Sequence, residues 1–127
     1  MTSPFRPGFE GDASRPGGLK VELDQLDAAR VCVRVGGELD MATAEELSFR
    51  LAETLTHART VVLDLGEVRF MDSTGLAAII AALRQASDNG AELTIASPLP
   101  PQPQRLLELT GVVDRLSFTT APPRPST

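Results

Sequence analysis

The sequence predicts a single α/β domain in which helices pack on a mostly parallel mixed β-sheet. Residues 19–24 and 30–35 alternate apolar and polar side chains, as half-buried strands do. Residues 60–65 carry three apolar side chains in succession, which is typical of a strand covered on both faces. Residues 73–89 instead place apolar side chains at helical spacing. These two periodicities, taken together, define the fold class.

The first half of the chain predicts two strands, a helix and a central strand. Gly36-Gly37 is expected to end the second strand. The first helix is expected from Thr43 to about Thr56, because Thr43 and Glu46 have the spacing of a capping box. The central strand is expected over Thr60–Leu65.

The second half predicts two further helices and two further strands. The helix over residues 73–89 stops at Gly90, and a strand follows over residues 91–96. The third helix is expected to start near Pro103, because proline is accepted only in a first helical turn, and to end before Gly111. Leu116-Ser117-Phe118 then forms an edge strand, so the predicted order is β-β-α-β-α-β-α-β.

Segments rich in proline and glycine flank this domain. Residues 1–18 show no periodicity and are predicted to form a disordered N-terminal tail. Residues 19–119 form the domain, and residues 120–127 are predicted to form a disordered C-terminal tail.

The charge balance argues against nucleic acid as a partner. The 127 residues carry a formal net charge of −5, whereas nucleic-acid binding depends on clustered Lys and Arg. No apolar run approaches the ~18–20 residues that span a bilayer, and no signal segment opens the chain. We therefore expect a cytoplasmic protein without a DNA, RNA or membrane partner.

Composition also indicates no catalytic, cofactor or metal site. The single cysteine, Cys32, lies between two valines and is expected to behave as a small buried hydrophobe. No cluster of residues has metal-ligand spacing. The only histidine, His57, lies at the far end of another predicted helix and cannot act as a base for Ser73. The sequence therefore offers no Ser-His-Asp triad. The oligomeric state stays open between a monomer and a weak dimer.

The stretch Asp72-Ser73-Thr74-Gly75 lies where the central strand gives way to the second helix. A helix N-terminus has unpaired backbone N–H groups and a partial positive charge, so it suits an anion. A hydroxyl here is therefore either a helix cap or a phosphoacceptor. Gly75 either gives a kinase access to Ser73 or permits tight helix–sheet packing.

Three segments follow one another in an order and spacing that match a known family. They are Gly37-Glu38-Leu39-Asp40 with Ala42-Thr43-Ala44, then Leu63-Asp64-Leu65 with Asp72-Ser73-Thr74-Gly75-Leu76, and finally Arg105–Gly111. Together they resemble the STAS domain family and, within it, the anti-sigma factor antagonists (anti-anti-sigma factors) of bacteria. The resemblance covers roughly residues 20–118.

This resemblance implies a STAS-like fold and a phosphorylation switch. In this family a partner kinase phosphorylates the serine of the Asp-Ser motif, a role that falls on Ser73. The unmodified protein is expected to bind an anti-sigma factor that is also a serine kinase, which releases a sigma factor. Phosphorylation then weakens the complex, and a serine phosphatase, a transient partner, removes the phosphate. The implied partner-binding residues are Asp40, Met41, Asp72, Thr74, Gly75 and Leu76.

Other functions are also compatible with the sequence. The chain could be a STAS regulatory subunit of a membrane transporter or lipid-transport ATPase, without obligatory phosphorylation. A nucleotide-sensing module is disfavoured because no GxxxxGK[ST] loop is present, and an enzyme is disfavoured by the missing base. The run Pro98–Pro103 departs from the family by suggesting a longer link before the third helix.

Overall fold

A computed structural model describes residues 18–124 of the chain. The elements are β1 (Leu19–Gln25), β2 (Arg30–Leu39), α1 (Ala44–Leu55), β3 (Thr60–Met71), α2 (Ser73–Asp88), β4 (Glu92–Ser97), α3 (Pro101–Thr110), a 3₁₀ helix (Val112–Arg115) and β5 (Phe118–Thr120). The order β-β-α-β-α-β-α-β is confirmed. Of the predicted N-terminal tail, only Gly18 falls within the described residues.

The five strands form one mixed sheet in the order β1-β2-β3-β4-β5. β1 pairs with β2 in the antiparallel direction, and the remaining pairs are parallel. Each parallel connection passes through a helix, as parallel strands require. The carboxyl ends of β2, β3 and β4 therefore point to the same edge of the sheet.

β2 and β3 both run further than their sequence patterns predicted. Gly36-Gly37 does not end β2 but lies inside it, where the pairing with β3 shifts register twice before Leu39. β3 continues past Leu65 to Met71. Pairing between the two strands supplies hydrogen bonds that the local sequence does not signal, since β-propensity depends on context. The extension carries both strands to the edge where the motif residues lie.

The hydrophobic core lies between the helices and one face of the sheet. Alternate residues of the central strands, including Val33 and Leu63, point into it and are fully buried. α1 contributes Leu47 and Leu51, and α2 contributes Ile79. The apolar side chains that the helical and strand periodicities placed on one face therefore pack together in a single core.

The opposite face of the sheet holds a buried arginine. Arg34 is 5% exposed, pairs with Asp24 at 3.0 Å and with Asp64 at 3.6 Å, and donates to two backbone carbonyls of residues 122–123 at 3.1 Å each. Burial alone would lower the pKa of Arg34, but the hydrogen bond to Asp24 and the nearby negative charges raise it. The predicted C-terminal tail starts inside β5, which includes Thr120, and residues 122–123 lie against this face.

Three local predictions were wrong in detail. The Thr43 side chain makes no cap hydrogen bond to α1, so the capping box does not form. α3 begins at Pro101, because both Pro101 and Pro103 fit in its first turn, which leaves only residues 98–100 as the link. The final strand is Phe118–Thr120, since the 3₁₀ helix fills residues 112–115.

Candidate phosphorylation and partner-binding site

Two aspartates of the motif segments lie at neighbouring strand ends. Leu39 and Met71, the last residues of β2 and β3, are paired in the sheet, so Asp40 and Asp72 follow adjacent ends. The Asp72 backbone N–H also donates to the Leu39 carbonyl at 3.1 Å. Strand pairing thus brings together two segments that are about thirty residues apart in sequence.

Asp72, rather than Ser73, caps the second helix. Its Oδ1 accepts hydrogen bonds from the backbone N–H groups of Thr74 at 2.9 Å and Gly75 at 3.1 Å. Its backbone is extended, as an N-cap requires. Ser73 is the first residue of α2, and its exposed hydroxyl makes no hydrogen bond within residues 18–124. The Ser73 hydroxyl was expected to be either a helix cap or a phosphoacceptor, and Asp72 already provides the cap.

Gly75 lies in close contact with the end of β2. A Cβ at this position would stand 2.5 Å from the Leu39 carbonyl oxygen and 2.6 Å from Leu39 Cγ. Atoms do not approach this closely, so the glycine lets α2 start directly against the strand. Tight packing is therefore the reason for glycine here, since Gly75 itself is buried.

Asp40 organises the turn that joins β2 to α1. Its Oδ1 accepts from the Ala42 backbone N–H at 3.0 Å, and its backbone N–H donates to Thr43 Oγ1 at 3.0 Å. The Thr43 hydroxyl in turn donates to the Glu38 carbonyl at 2.7 Å. This network takes the Thr43 side chain away from the helix cap predicted from sequence and fixes the turn next to Asp72.

An open depression lies between this turn and the end of β3. Its volume is about 640 Å³, and its walls are Asp40, Met41, Ala42, Phe70 and Asp72. Met41 is 79% exposed and Phe70 is 41% exposed. Exposed apolar side chains beside charged ones are typical of interaction surfaces. Sequence reasoning included Met41 but missed Phe70, whose place in a strand extension had no local signal.

The remaining predicted partner-binding residues differ in accessibility. Thr74 is half-buried and Gly75 is buried. Leu76 is 4% exposed and belongs to the hydrophobic core, so its side chain anchors α2 to the sheet. Asp40 and Asp72 are half-buried like Thr74, so Met41 is the one clearly exposed residue of the predicted partner-binding set.

Gln102 positions α3 beside this site and was missed from sequence. Its side-chain amide donates to the Met71 carbonyl and accepts from the Met71 backbone N–H, both at 2.8 Å. β4 pairs with β3 only as far as Leu63, so β4 does not reach Met71. Gln102 replaces that strand, because an amide carries one donor group and one acceptor like the backbone.

The described residues offer neither a metal cluster nor a membrane span. Within residues 18–124, the His, Cys, Asp and Glu side chains form no group of three that could hold a metal ion. Over the same range, no helix has both the length and the apolarity needed to cross a bilayer.

Known proteins are similar to this chain in sequence and in fold. The family model described as "Mlab, STAS domain" matches residues 23–118, which include Asp40 and Ser73. The chain belongs to the STAS domain family. A relative from Staphylococcus aureus, an anti-sigma-B factor antagonist, is 38% identical over 87 residues, covering 65% of this chain and 76% of that protein. The anti-sigma F factor antagonist of Paenibacillus polymyxa is 29% identical over 96 residues, covering 74% of this chain and 80% of the relative.

A solved STAS structure confirms the fold. The unphosphorylated anti-sigma factor antagonist SpoIIAA aligns with a TM-score of 0.66 at 19% identity, covering 79% of this chain and 88% of that one. A phosphorylated form of SpoIIAA, a Bacillus cell fate determinant, aligns with a TM-score of 0.61. The fold class predicted from the sequence is therefore confirmed, and the relatives bear the names of regulators rather than enzymes.

Proposed function

We propose that this protein is a cytoplasmic bacterial anti-sigma factor antagonist that phosphorylation of Ser73 switches off. In its unmodified form it binds an anti-sigma factor that is also a serine kinase, and so releases a sigma factor. The kinase then phosphorylates Ser73, the complex weakens, and a serine phosphatase restores binding. The names of the relatives support the first step, and the existence of SpoIIAA in two phosphorylation states supports the second.

One observation carries the choice of Ser73. Its hydroxyl is exposed and without a hydrogen bond in the described residues, while Asp72 supplies the cap of the same helix. A modification of Ser73 therefore removes no stabilising contact. Thr74, the neighbouring hydroxyl, is half-buried and so less accessible to a kinase active site.

The charge at this position explains how a phosphate would switch binding without unfolding the domain. Phosphorylation adds about −1.5 to −2 charges at neutral pH. At a helix N-terminus the dipole favours an exposed anion by roughly 0.3–1 kcal/mol. Asp40 and Asp72 already make this surface acidic, so a partner meets a further dianion that it must desolvate. A loss of about 3 kcal/mol weakens binding roughly a hundredfold.

In this scheme the protein is a kinase substrate and not a catalyst. His57 precedes the start of β3, whereas Ser73 follows its end. The strand has 12 residues, and at about 3.3 Å per residue it separates the two side chains by roughly 35 Å. The imidazole therefore cannot serve as a base for the Ser73 hydroxyl.

A capture experiment tests this function. The bait is the full chain, expressed in the encoding organism, either unsubstituted or with Ser73→Ala, Ser73→Glu or Ser87→Glu. Ser87 is an exposed residue of the same helix, so Ser87→Glu adds the same charge far from the site. We expect an ATP-binding anti-sigma kinase to be captured by every bait except Ser73→Glu, and phosphopeptide mapping to locate phosphate on Ser73.

Two outcomes would contradict the proposal. If all four baits capture the same membrane transporter or lipid-transport ATPase subunit, the protein is a structural STAS subunit of that complex. If Ser87→Glu abolishes capture as fully as Ser73→Glu does, the effect reflects the charge of the helix and not the modification site.

A further inference from the structure

The depression beside Ser73 presents an apolar surface next to two unpaired carboxylates. We name it the Met41 patch, and its members are Asp40, Met41, Ala42, Phe70 and Asp72. The hydrogen bonds of both aspartate side chains go to Oδ1, and within residues 18–124 neither carboxylate forms an ion pair. A ligand that matches this surface combines an aromatic or apolar side chain with a positive charge.

The N-terminal segment leaves the domain at this same edge. β1 is antiparallel to β2, so its first residue lies where the parallel strands end. The Gly18 carbonyl accepts from the Glu38 backbone N–H at 3.0 Å, and Glu38 is paired with Phe70 on β3. Gly18 and Phe70 are thus two strand spacings apart, about 10 Å.

Residues 1–17 contain one dipeptide with the matching chemistry. Phe5-Arg6 joins an aromatic ring to a cation, whereas Phe9-Glu10 joins a ring to an anion that the aspartates would repel. Arg15 has no aromatic neighbour and lies only three residues before Gly18. The stretch from Phe5 to Gly18 can reach up to about 40 Å at roughly 3.3 Å per residue, which exceeds the required distance.

We propose that Phe5-Arg6 docks on the Met41 patch of its own chain. Phe5 packs on Met41 and Phe70, and Arg6 faces Asp40 and Asp72. The segment is tethered, so its effective concentration is in the millimolar range. At an effective concentration of about 1–4 mM, a contact with a dissociation constant of about 1 mM would be occupied for about half to four-fifths of the time, which reduces access to Met41 about two- to fivefold.

Docking has a regulatory consequence for the neighbouring site. The occupied patch includes Asp72, the residue before Ser73, so a partner that needs this surface competes with the segment. This consequence rests on the function proposed above, whereas the docking itself does not.

Methionine oxidation measures docking without any partner protein. The full chain is treated with dilute hydrogen peroxide, and sulfoxide formation at each methionine is followed by mass spectrometry. Met41 reports on the patch, while Met71, which is 0% exposed, reports on the integrity of the fold. The test variant is Phe5→Ala/Arg6→Ala, and the matched control is Phe9→Ala/Glu10→Ala in the same segment.

We expect the test variant to oxidise at Met41 two- to fivefold faster than the unsubstituted chain, with the control variant unchanged and Met71 slow in all three. Equal Met41 rates in the test variant and the unsubstituted chain would overturn the proposal. An equal increase in both variants would overturn the assignment of Phe5-Arg6 as the docking element. None of these outcomes depends on phosphorylation or on an anti-sigma factor.

Discussion

Replacing Gly75 by alanine tests whether tight packing places Ser73 correctly. The new Cβ would lie 2.5 Å from the Leu39 carbonyl oxygen and 2.6 Å from Leu39 Cγ. The carbonyl cannot move freely, because it also accepts the Asp72 backbone N–H at 3.1 Å. The start of α2 must therefore move away from β2. Overpacking of this kind costs about 1–3 kcal/mol, and the better helix propensity of alanine returns at most about 1 kcal/mol.

We therefore expect Gly75→Ala to lower the free energy of unfolding by about 1–2 kcal/mol. The control is Gly66→Ala, where the new Cβ meets only Asp64 Oδ1, at 3.0 Å. That oxygen belongs to a side chain that can shift by a few tenths of an ångström, although it accepts the Gly66 backbone N–H at 2.8 Å. The loss should therefore stay below that of Gly75→Ala, at most about 1 kcal/mol. The chain contains no Trp or Tyr, so urea unfolding is followed by far-ultraviolet circular dichroism. Equal stability of Gly75→Ala and the unsubstituted protein would refute the packing argument.

Three further predictions concern the cap, the buried thiol and the buried arginine. Asp72→Ala should lower the free energy of unfolding by about 0.5–2 kcal/mol through loss of the N-cap. Ser73→Ala should change the free energy of unfolding in urea by less than about 0.5 kcal/mol. Equal losses of unfolding free energy in the two variants would contradict the assignment of the cap to Asp72. Burial raises the pKa of the Cys32 thiol from 9.0 to about 11, so the folded state favours the neutral thiol, and its stabilising contribution is complete below pH 9 and lost as the pH rises towards 11. Urea unfolding should show a smaller decline over that range in Cys32→Ala, and parallel pH profiles would contradict the shift. Arg34→Ala should lower the free energy of unfolding by about 3 kcal/mol, because it leaves carboxylates without their buried partner. Arg30→Ala removes an exposed ion pair and should lower it by at most about 1 kcal/mol. Similar losses of stability in thermal or urea unfolding would contradict the role of burial.

The sequence alone determined the elements and their order. Alternation in β1 and β2, the apolar run of β3 and the helical spacing of α2 all depend on neighbouring residues, and all were predicted correctly as elements. The position of Ser73 at the start of α2 was likewise local information, since the change of period from strand to helix occurs there. Burial of Cys32 also followed from its valine neighbours.

Only the tertiary structure decided how distant segments meet. It showed that glycine is needed at position 75 for tight packing, because the contacting residue, Leu39, lies on another strand. It also extended β3 to Met71, brought Gln102 to the end of that strand and drew Thr43 away from its predicted cap. Each of these outcomes depends on the register of paired strands or on contacts between residues far apart in sequence. Local propensity is a weak preference of under about 1 kcal/mol per residue, so such contacts override it.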